Sequence, residues 1–106
     1  MGIIDTSPVM ERVSEGKAIN ENVSIITLIE YPMLLEYEKF HGEILYPDRE
    51  DLRLALELQA KLRKIGAMKS AADLIIAATC ISNNEPLLTI DRDFGEISDV
   101  SNLVLS

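Results

Sequence analysis

An α/β layer fold on a mainly parallel sheet is what this chain predicts, and three observations carry that expectation. Short β-branched and apolar runs recur at 2–5, 23–27, 43–47, 86–90 and 103–105. Segments of helical length lie between most of them. The two kinds of signal alternate along the chain, which places helices against parallel strands.

The elements follow in order. "GIID" (2–5) reads as a short buried strand that ends on Asp5. "SPVMERVSEG" (7–16) suits one short helix closed by Gly16, and "VSIIT" (23–27) a second strand. A helix is expected over 27–42, with Pro32 near its first turn and Gly42 past its end. "EILYP" (43–47) is the third strand. The clearest helix is 48–66, where Leu52, Leu54, Ala55, Leu58, Leu62 and Ile65 form an apolar stripe between an Asp48 cap and Gly66. "SAADLIIAATCIS" (70–82) is apolar nearly all round and should be a buried helix. "PLLTI" (86–90) is the fourth strand and "LVL" (103–105) the fifth. No repeat, linker or low-complexity tract interrupts them, so 1–106 is expected to be one domain.

Composition narrows the function. Apolar residues make up 47% and charged residues 26%, an ordinary globular balance. No apolar run approaches the roughly 18 residues of a membrane span, and the start does not read as a signal peptide. The single cysteine, Cys80, cannot form an internal disulfide and lies in an apolar segment, which fits a small buried residue in a reducing cytoplasm. The net charge of −8 argues against a simple phosphate-binding surface. With one histidine and one cysteine there is no zinc set and no Ser-His-Asp triad. His41 is expected at a helix end, favoured by the dipole. Lys61, Arg63, Lys64 and Lys69 read as a solvated helix end, and are the best candidates for touching phosphate.

The acids hold the chemistry. In open parallel sheets, sites form at the carboxyl ends of strands. Asp5 ends the first strand, Asp91 ends the fourth and Asp93 follows it. Glu30 falls in the first turn of the helix leaving the second strand. Asp73 falls in the first turn of the buried helix feeding the fourth, and is the only charged residue from 70 to 82. Two helices separate the third and fourth strands, so Asp73 reaches that edge only if the connector 66–70, which spans up to about 17 Å when extended, carries the chain back. Each acid also has a purely structural reading. Thr27-x-x-Glu30 and Ser70-x-x-Asp73 match capping boxes, and Asp5 and Asp91 suit caps or turns. Convergence tips the balance, because five like charges at one edge repel unless a cation neutralises them.

Other acidic motifs fit less well. An EF-hand from Asp91 needs Gly and Glu where Glu96 and Asn102 stand. A haloacid-dehalogenase-type D-x-D opens its domain, whereas only 13 residues follow Asp93. A response-regulator receiver wants paired acids on the first strand and a late lysine; Asp5 is followed by Thr6 and Ser7, and the last lysine is Lys69.

"IIDTS", "SIITLIE", "SAADLIIAAT" and "LLTIDRDF", in that order, resemble the PIN-domain family, especially VapC-type toxin ribonucleases of toxin–antitoxin pairs. The resemblance runs from Ile3 to Leu105. It implies a three-layer α/β/α fold around a central, mainly parallel sheet of four to five strands. It also implies a metal-binding, catalytic quartet of Asp5, Glu30, Asp73 and Asp91, with Asp93 a further acid beside it and Thr6 and Thr89 in support. The activity implied is metal-dependent cleavage of RNA, with a cognate antitoxin and, often, a homodimer as partners. The chain departs from the family in one place: 6–29 has room for one helix where two are usual. A non-catalytic PIN-like binding module and a housekeeping RNA-processing nuclease are the alternatives.

Oxygen ligands without His or Cys select Mg²⁺ or Mn²⁺. One ion, or two about 4 Å apart, would bind a phosphate oxygen and activate water for in-line attack. Leaving the five acids out takes the net charge from −8 to −3, so bulk charge says less about the partner.

Overall fold

The computed structural model describes residues 2–106. Four two-residue strands form two parallel pairs. β1 (Ile3–Ile4) pairs with β4 (Leu87–Leu88), and β2 (Val23–Ser24) with β3 (Ile44–Leu45). Single parallel bridges extend this arrangement: Ile3 to Asn22 joins the pairs, and Leu87 to Leu105 lengthens the far side. The Ile4 amide donates to the Asn22 carbonyl at 2.9 Å and the Asn22 amide to the Gly2 carbonyl at 3.2 Å. The order across the molecule is therefore β3, β2, β1, β4 and Leu105. The single longer sheet expected from the sequence becomes two small ones stitched by isolated bridges. The fifth strand at 103–105 reduces to one bridging residue.

The strands are covered on both faces. Ile3 and Leu87 belong to one core with Leu58, Leu62, Ile76, Phe94 and Ile97. Ile4, one residue on, belongs to the other with Val9, Ile19, Val23, Leu28 and Leu34, and Leu88 packs against that second core. Alternation along a strand forces this division, since successive side chains point to opposite faces. Buried on both sides, such strands are mostly apolar, and the one polar member, Ser24, uses its hydroxyl to cap the following helix.

Helix α1 (Thr6–Ser14) ends before Gly16, whose φ of +68° suits glycine. The segment between Asp5 and Glu30, expected to hold one helix, holds this one and a second short helix at Ile25–Glu30, because Ser24 starts a new helix straight after the second strand. The helix expected over 27–42 is broken. α2 occupies only Ile25–Glu30, and a 3₁₀ turn follows at Pro32–Glu36. The reason is Pro32, which lacks an N–H and drives Tyr31 out of helical backbone, to φ −141° and ψ 73°. β2 is shorter than expected because Ser24 caps α2, its hydroxyl accepting from the Ile26 amide at 3.1 Å. His41 consequently lies beyond any helix, in an extended segment where its amide donates to the Ile19 carbonyl at 2.8 Å.

α3 (Arg49–Lys64) carries the capping box its start suggests: Asp48 accepts from the Asp51 amide at 2.9 Å, and Asp51 accepts in return from the Asp48 amide at 3.1 Å. Ala55, Leu58 and Leu62 of its stripe are buried, while Leu52 and Ile65 stay exposed. After Gly66 (φ +70°) the chain doubles back along α3, and Gln59 holds both backbone groups of Lys69. α4 (Ala71–Ser82) then runs through the core, with Ile76 to Cys80 buried without a break. A last helix, α5 (Asp93–Asp99), was not apparent in the sequence. Seven residues holding two aspartates and Gly95 are a poor helix in isolation; burial of Phe94 and Ile97, both fully covered, supplies its stability.

Candidate metal centre

β1 is where the chain's path splits, with β2 on one side and β4 on the other, and the acids collect at the carboxyl ends of these strands. This is the crevice position that open parallel sheets favour for sites. Asp5 follows β1 directly and is 6% exposed. It sits at the N-cap of α1 yet makes no capping hydrogen bond there. Instead its Oδ2 accepts from Thr89 Oγ1 at 2.8 Å, across from the end of β4. The same Thr89 hydroxyl accepts from the Asp91 amide at 3.0 Å, so one threonine orients the first acid and shapes the turn bearing the next.

Asp91 Oδ1 in turn accepts from the Asp93 amide at 2.9 Å, a local turn that launches α5. The turn reading of Asp91 is thus met by one oxygen, leaving the other for a ligand. Asp73 arrives from α4. Ser70 caps that helix, accepting from the Asp73 amide at 3.1 Å, and the doubled-back connector brings its first turn to the site. One carboxylate oxygen each from Asp73, Asp91 and Asp93 lies within 4.8 Å of the others.

Glu30 is placed differently from expectation. It is the last residue of α2, not the first turn of a long helix, and Ser24 rather than Thr27 caps that helix. The capping-box reading of Glu30 therefore falls. Its Oε1 accepts from Thr6 Oγ1 at 2.6 Å, and Thr6 also meets Thr27 Oγ1 at 3.0 Å. Glu30 stands outside the close group of three and reaches Asp5 through its charge.

The electrostatics register the crowding. Burial pushes the Asp5 carboxyl above its ordinary value; the backbone of Thr6 and the Thr89 hydroxyl oppose this, and the charges of Asp91 and Glu30 add to it. Burial likewise raises Asp73, followed by the charge of Asp91, with Ser70 opposing and Asp5 and Asp93 contributing less. Two carboxyls raised by burial and by like charges mark a site where negative charge is crowded.

Lys69 is the residue whose place the sequence misjudged. Rather than closing a solvated helix end, its ammonium group lies 2.5 Å from Glu96 Oε1 and 3.6 Å from Asp93 Oδ1. Its own pKa is raised, chiefly by the hydrogen bond to Glu96. Glu96 went unnoticed because α5 did, although Asp93 and Glu96 at i and i+3 would share a face once that helix was drawn. Cys80 is buried, its thiol pushed up to about 12 by burial first and then by the charges of Asp5 and Glu85. Among the described residues, no helix is long and apolar enough to cross a membrane.

Comparison with known proteins agrees with this fold. The PIN domain family model matches residues 33–100, a span that includes Asp73, Asp91 and Asp93 and begins after Asp5 and Glu30. No curated protein sequence matches the chain. Several solved structures are similar in fold. A chain of FitAcB from Neisseria gonorrhoeae superimposes with a TM-score of 0.75 at 21% identity, over 99% of this chain and 96% of that one. A toxin–antitoxin complex from Klebsiella pneumoniae gives 0.67 at 17% identity, over 89% and 90%. VapBC2 from Rickettsia felis, bound to a DNA fragment from its promoter, gives 0.70 at 20% identity, over 98% and 96%.

Proposed function

The chain belongs to the PIN domain family, and from that premise we propose that it is a divalent-metal-dependent endoribonuclease, the toxin of a toxin–antitoxin pair. The observation that carries the proposal is the meeting of Asp73, Asp91 and Asp93 oxygens within 4.8 Å at the strand ends, beside Asp5. The two core clusters, one on each face of the strands, support a three-layer α/β/α domain spanning 1–106.

The residues fit Mg²⁺ or Mn²⁺. All donors are carboxylate oxygens, the ligands hard cations take, and no imidazole or thiolate competes for the site. Asp5, Asp73 and Asp91, with Asp93 as the lesser member, would hold the ion, and Glu30 would complete the set. Bound there, the ion supplies polarisation of a phosphate oxygen and an activated water. The chain's own part is orientation. Thr89 aims Asp5, Thr6 restrains Glu30, and Ser70 and the Asp91 turn set the remaining acids.

Toxin–antitoxin complexes among the structural neighbours support a protein partner here. A basic antitoxin segment, its Arg or Lys entering among Asp5, Glu30, Asp73 and Asp91, would pair with the site by charge-assisted hydrogen bonds and compete with metal. A homodimer in the cytoplasm is the expected working form. Glu30's place outside the group of three favours one other reading, a PIN-like module that binds a partner without chemistry.

The test is cleavage of a mixed RNA pool with Mn²⁺, Mg²⁺ or chelator, with circular dichroism to confirm folding. Asp5→Asn, Asp73→Asn and Asp91→Asn should each abolish cleavage, because Asn keeps the shape but lacks the anionic oxygen that holds the ion. Glu30→Gln should also lose activity, Asp93→Asn should lose less, and His41→Ala little. Cleavage that survives chelator, or an active Asp73→Asn protein, refutes the metal-nuclease reading and leaves the binding module.

A further inference from the structure

Lys69 occupies an unusual position for a lysine. Its side chain is 11% exposed, while the two acids it meets, Asp93 and Glu96, are 58% and 51% exposed. The cation is the covered partner, and the anions are the open ones. Its backbone is held as firmly: Gln59 Nε2 donates to the Lys69 carbonyl at 2.7 Å, and the Lys69 amide donates to Gln59 Oε1 at 3.1 Å. The next residue is Ser70, the cap that fixes the Asp73 amide. One residue therefore connects three elements. Its backbone is tied to α3, it leads directly into the cap of α4, and its ammonium group grips the first turn of α5.

From this arrangement we infer that Lys69 is a positioning residue of the metal centre, the tie that holds Asp93 and its turn against Asp73. The inference rests on the metal reading above. Asp73 and Asp93 lie twenty positions apart in sequence, on α4 and α5, which share a core through Leu74 and Phe94, while the amide of each acid is held at its own helix start by a local hydrogen bond. Holding them at ligand distance requires a contact between the two helix starts. Lys69 supplies it at the edge of the acid group, through Glu96 chiefly and Asp93 secondarily. Its distance from Glu96, 2.5 Å against 3.6 Å from Asp93, leaves the Asp93 carboxylate free to turn toward a cation.

A plain counter-ion and a positioning residue predict opposite signs. A counter-ion repels the incoming metal, so its removal tightens metal binding. A positioning residue assembles the ligands, so its removal weakens binding although a repelling charge has gone. Lys69→Met should fold, because the acids it abandons are both more than half exposed and remain hydrated. Gln59→Met removes the backbone grip with no change of charge at all.

The measurement is Mn²⁺ affinity by calorimetry or by the paramagnetic resonance of free Mn²⁺, with circular dichroism confirming the fold. Lys69→Met should bind Mn²⁺ about tenfold more weakly than wild type, the usual scale for a group that orients ligands, and Lys69→Arg should restore most of the loss. Gln59→Met should weaken binding in the same direction. Mn²⁺ bound by Lys69→Met as tightly as by wild type, or more tightly, overturns the inference; so does an Arg variant as weak as the Met one. A wild-type protein that binds no Mn²⁺ overturns the metal reading itself and this inference with it.

Discussion

Replacing Asp73 by Asn separates the cost of the acid cluster from its use. Asp73 has an oxygen within 4.8 Å of both Asp91 and Asp93. Two unit charges at that separation repel by about 0.9 kcal/mol in water and about 3.5 kcal/mol at an effective dielectric of 20. The group opens to solvent, so the lower end applies, and two neighbours give about 1.5–2 kcal/mol. Against this, an acid in the first turn of α4 gains about 0.5 kcal/mol from the helix dipole. The Ser70 hydroxyl, which caps through the Asp73 amide, also favours the ionised carboxyl, and losing that trims the gain. Asp73→Asn should therefore stabilise the metal-free protein by about 1 kcal/mol, a rise in melting temperature of about 4–8 °C for a domain of this size. Metal reverses the order. Binding only the folded state at a hundred times its Kd stabilises wild type by about 2.7 kcal/mol, and the variant should gain little. Thermal melts in chelator and in a Mn²⁺ series should cross, with the variant above wild type in chelator and below it in millimolar Mn²⁺. A variant that melts below wild type in chelator, or the same Mn²⁺ response from both proteins, refutes the reasoning.

Stability of the metal-free protein should fall as pH rises above the ordinary aspartate value of 3.8. Asp5 and Asp73 are raised above 3.8 in the folded state, so the unfolded chain ionises first and stability is lost through the interval that begins there. Glu21, held low by Arg12, acts in the opposite sense but only near and below its ordinary 4.5, so the fall is read above that pH. Melts of metal-stripped protein that are flat there would refute this, and Asp73→Asn should lessen the slope. Thr89→Val removes the donor to Asp5 and the acceptor for the Asp91 amide; it should cost about 1–3 kcal/mol in urea unfolding and about tenfold in Mn²⁺ affinity. Wild-type values for both would show the threonine to be idle. Gly42→Ala places a Cβ 1.9 Å from the Glu21 carbonyl oxygen, so two backbone segments must separate, at about 2–3 kcal/mol; an unchanged urea midpoint would refute that.

The sequence by itself determined which segments are buried and where α1, α3 and α4 stop. Alternating strand and helix signals placed β1 to β4, since their residues are apolar enough to be covered on both faces. Asp48 and Gly66 bounded α3, because a cap and a left-handed stop are local events of a few residues. The buried α4 was legible for a like reason: a run apolar on every side has nowhere to go but the core. Pro32 was legible too, but its force was underrated, and it divides α2 from the 3₁₀ turn.

Tertiary structure alone decided the rest. α5 exists because Phe94 and Ile97 find a core to fill, a gain that no propensity of "DFGEISD" contains. Strand ends and one helix start marked Asp5, Asp91 and Asp73 in the sequence, but their meeting depends on the connector doubling back, which Gln59 and Lys69 hold by hydrogen bonds ten residues apart. Glu30 moved from a helix start to a helix end, and Lys69 from a solvated helix end to ion pairs with Glu96 and Asp93. The physical reason is common to these cases. Caps, stops and periodicity act between residues a few positions apart, whereas contacts between distant segments depend on how the whole chain closes.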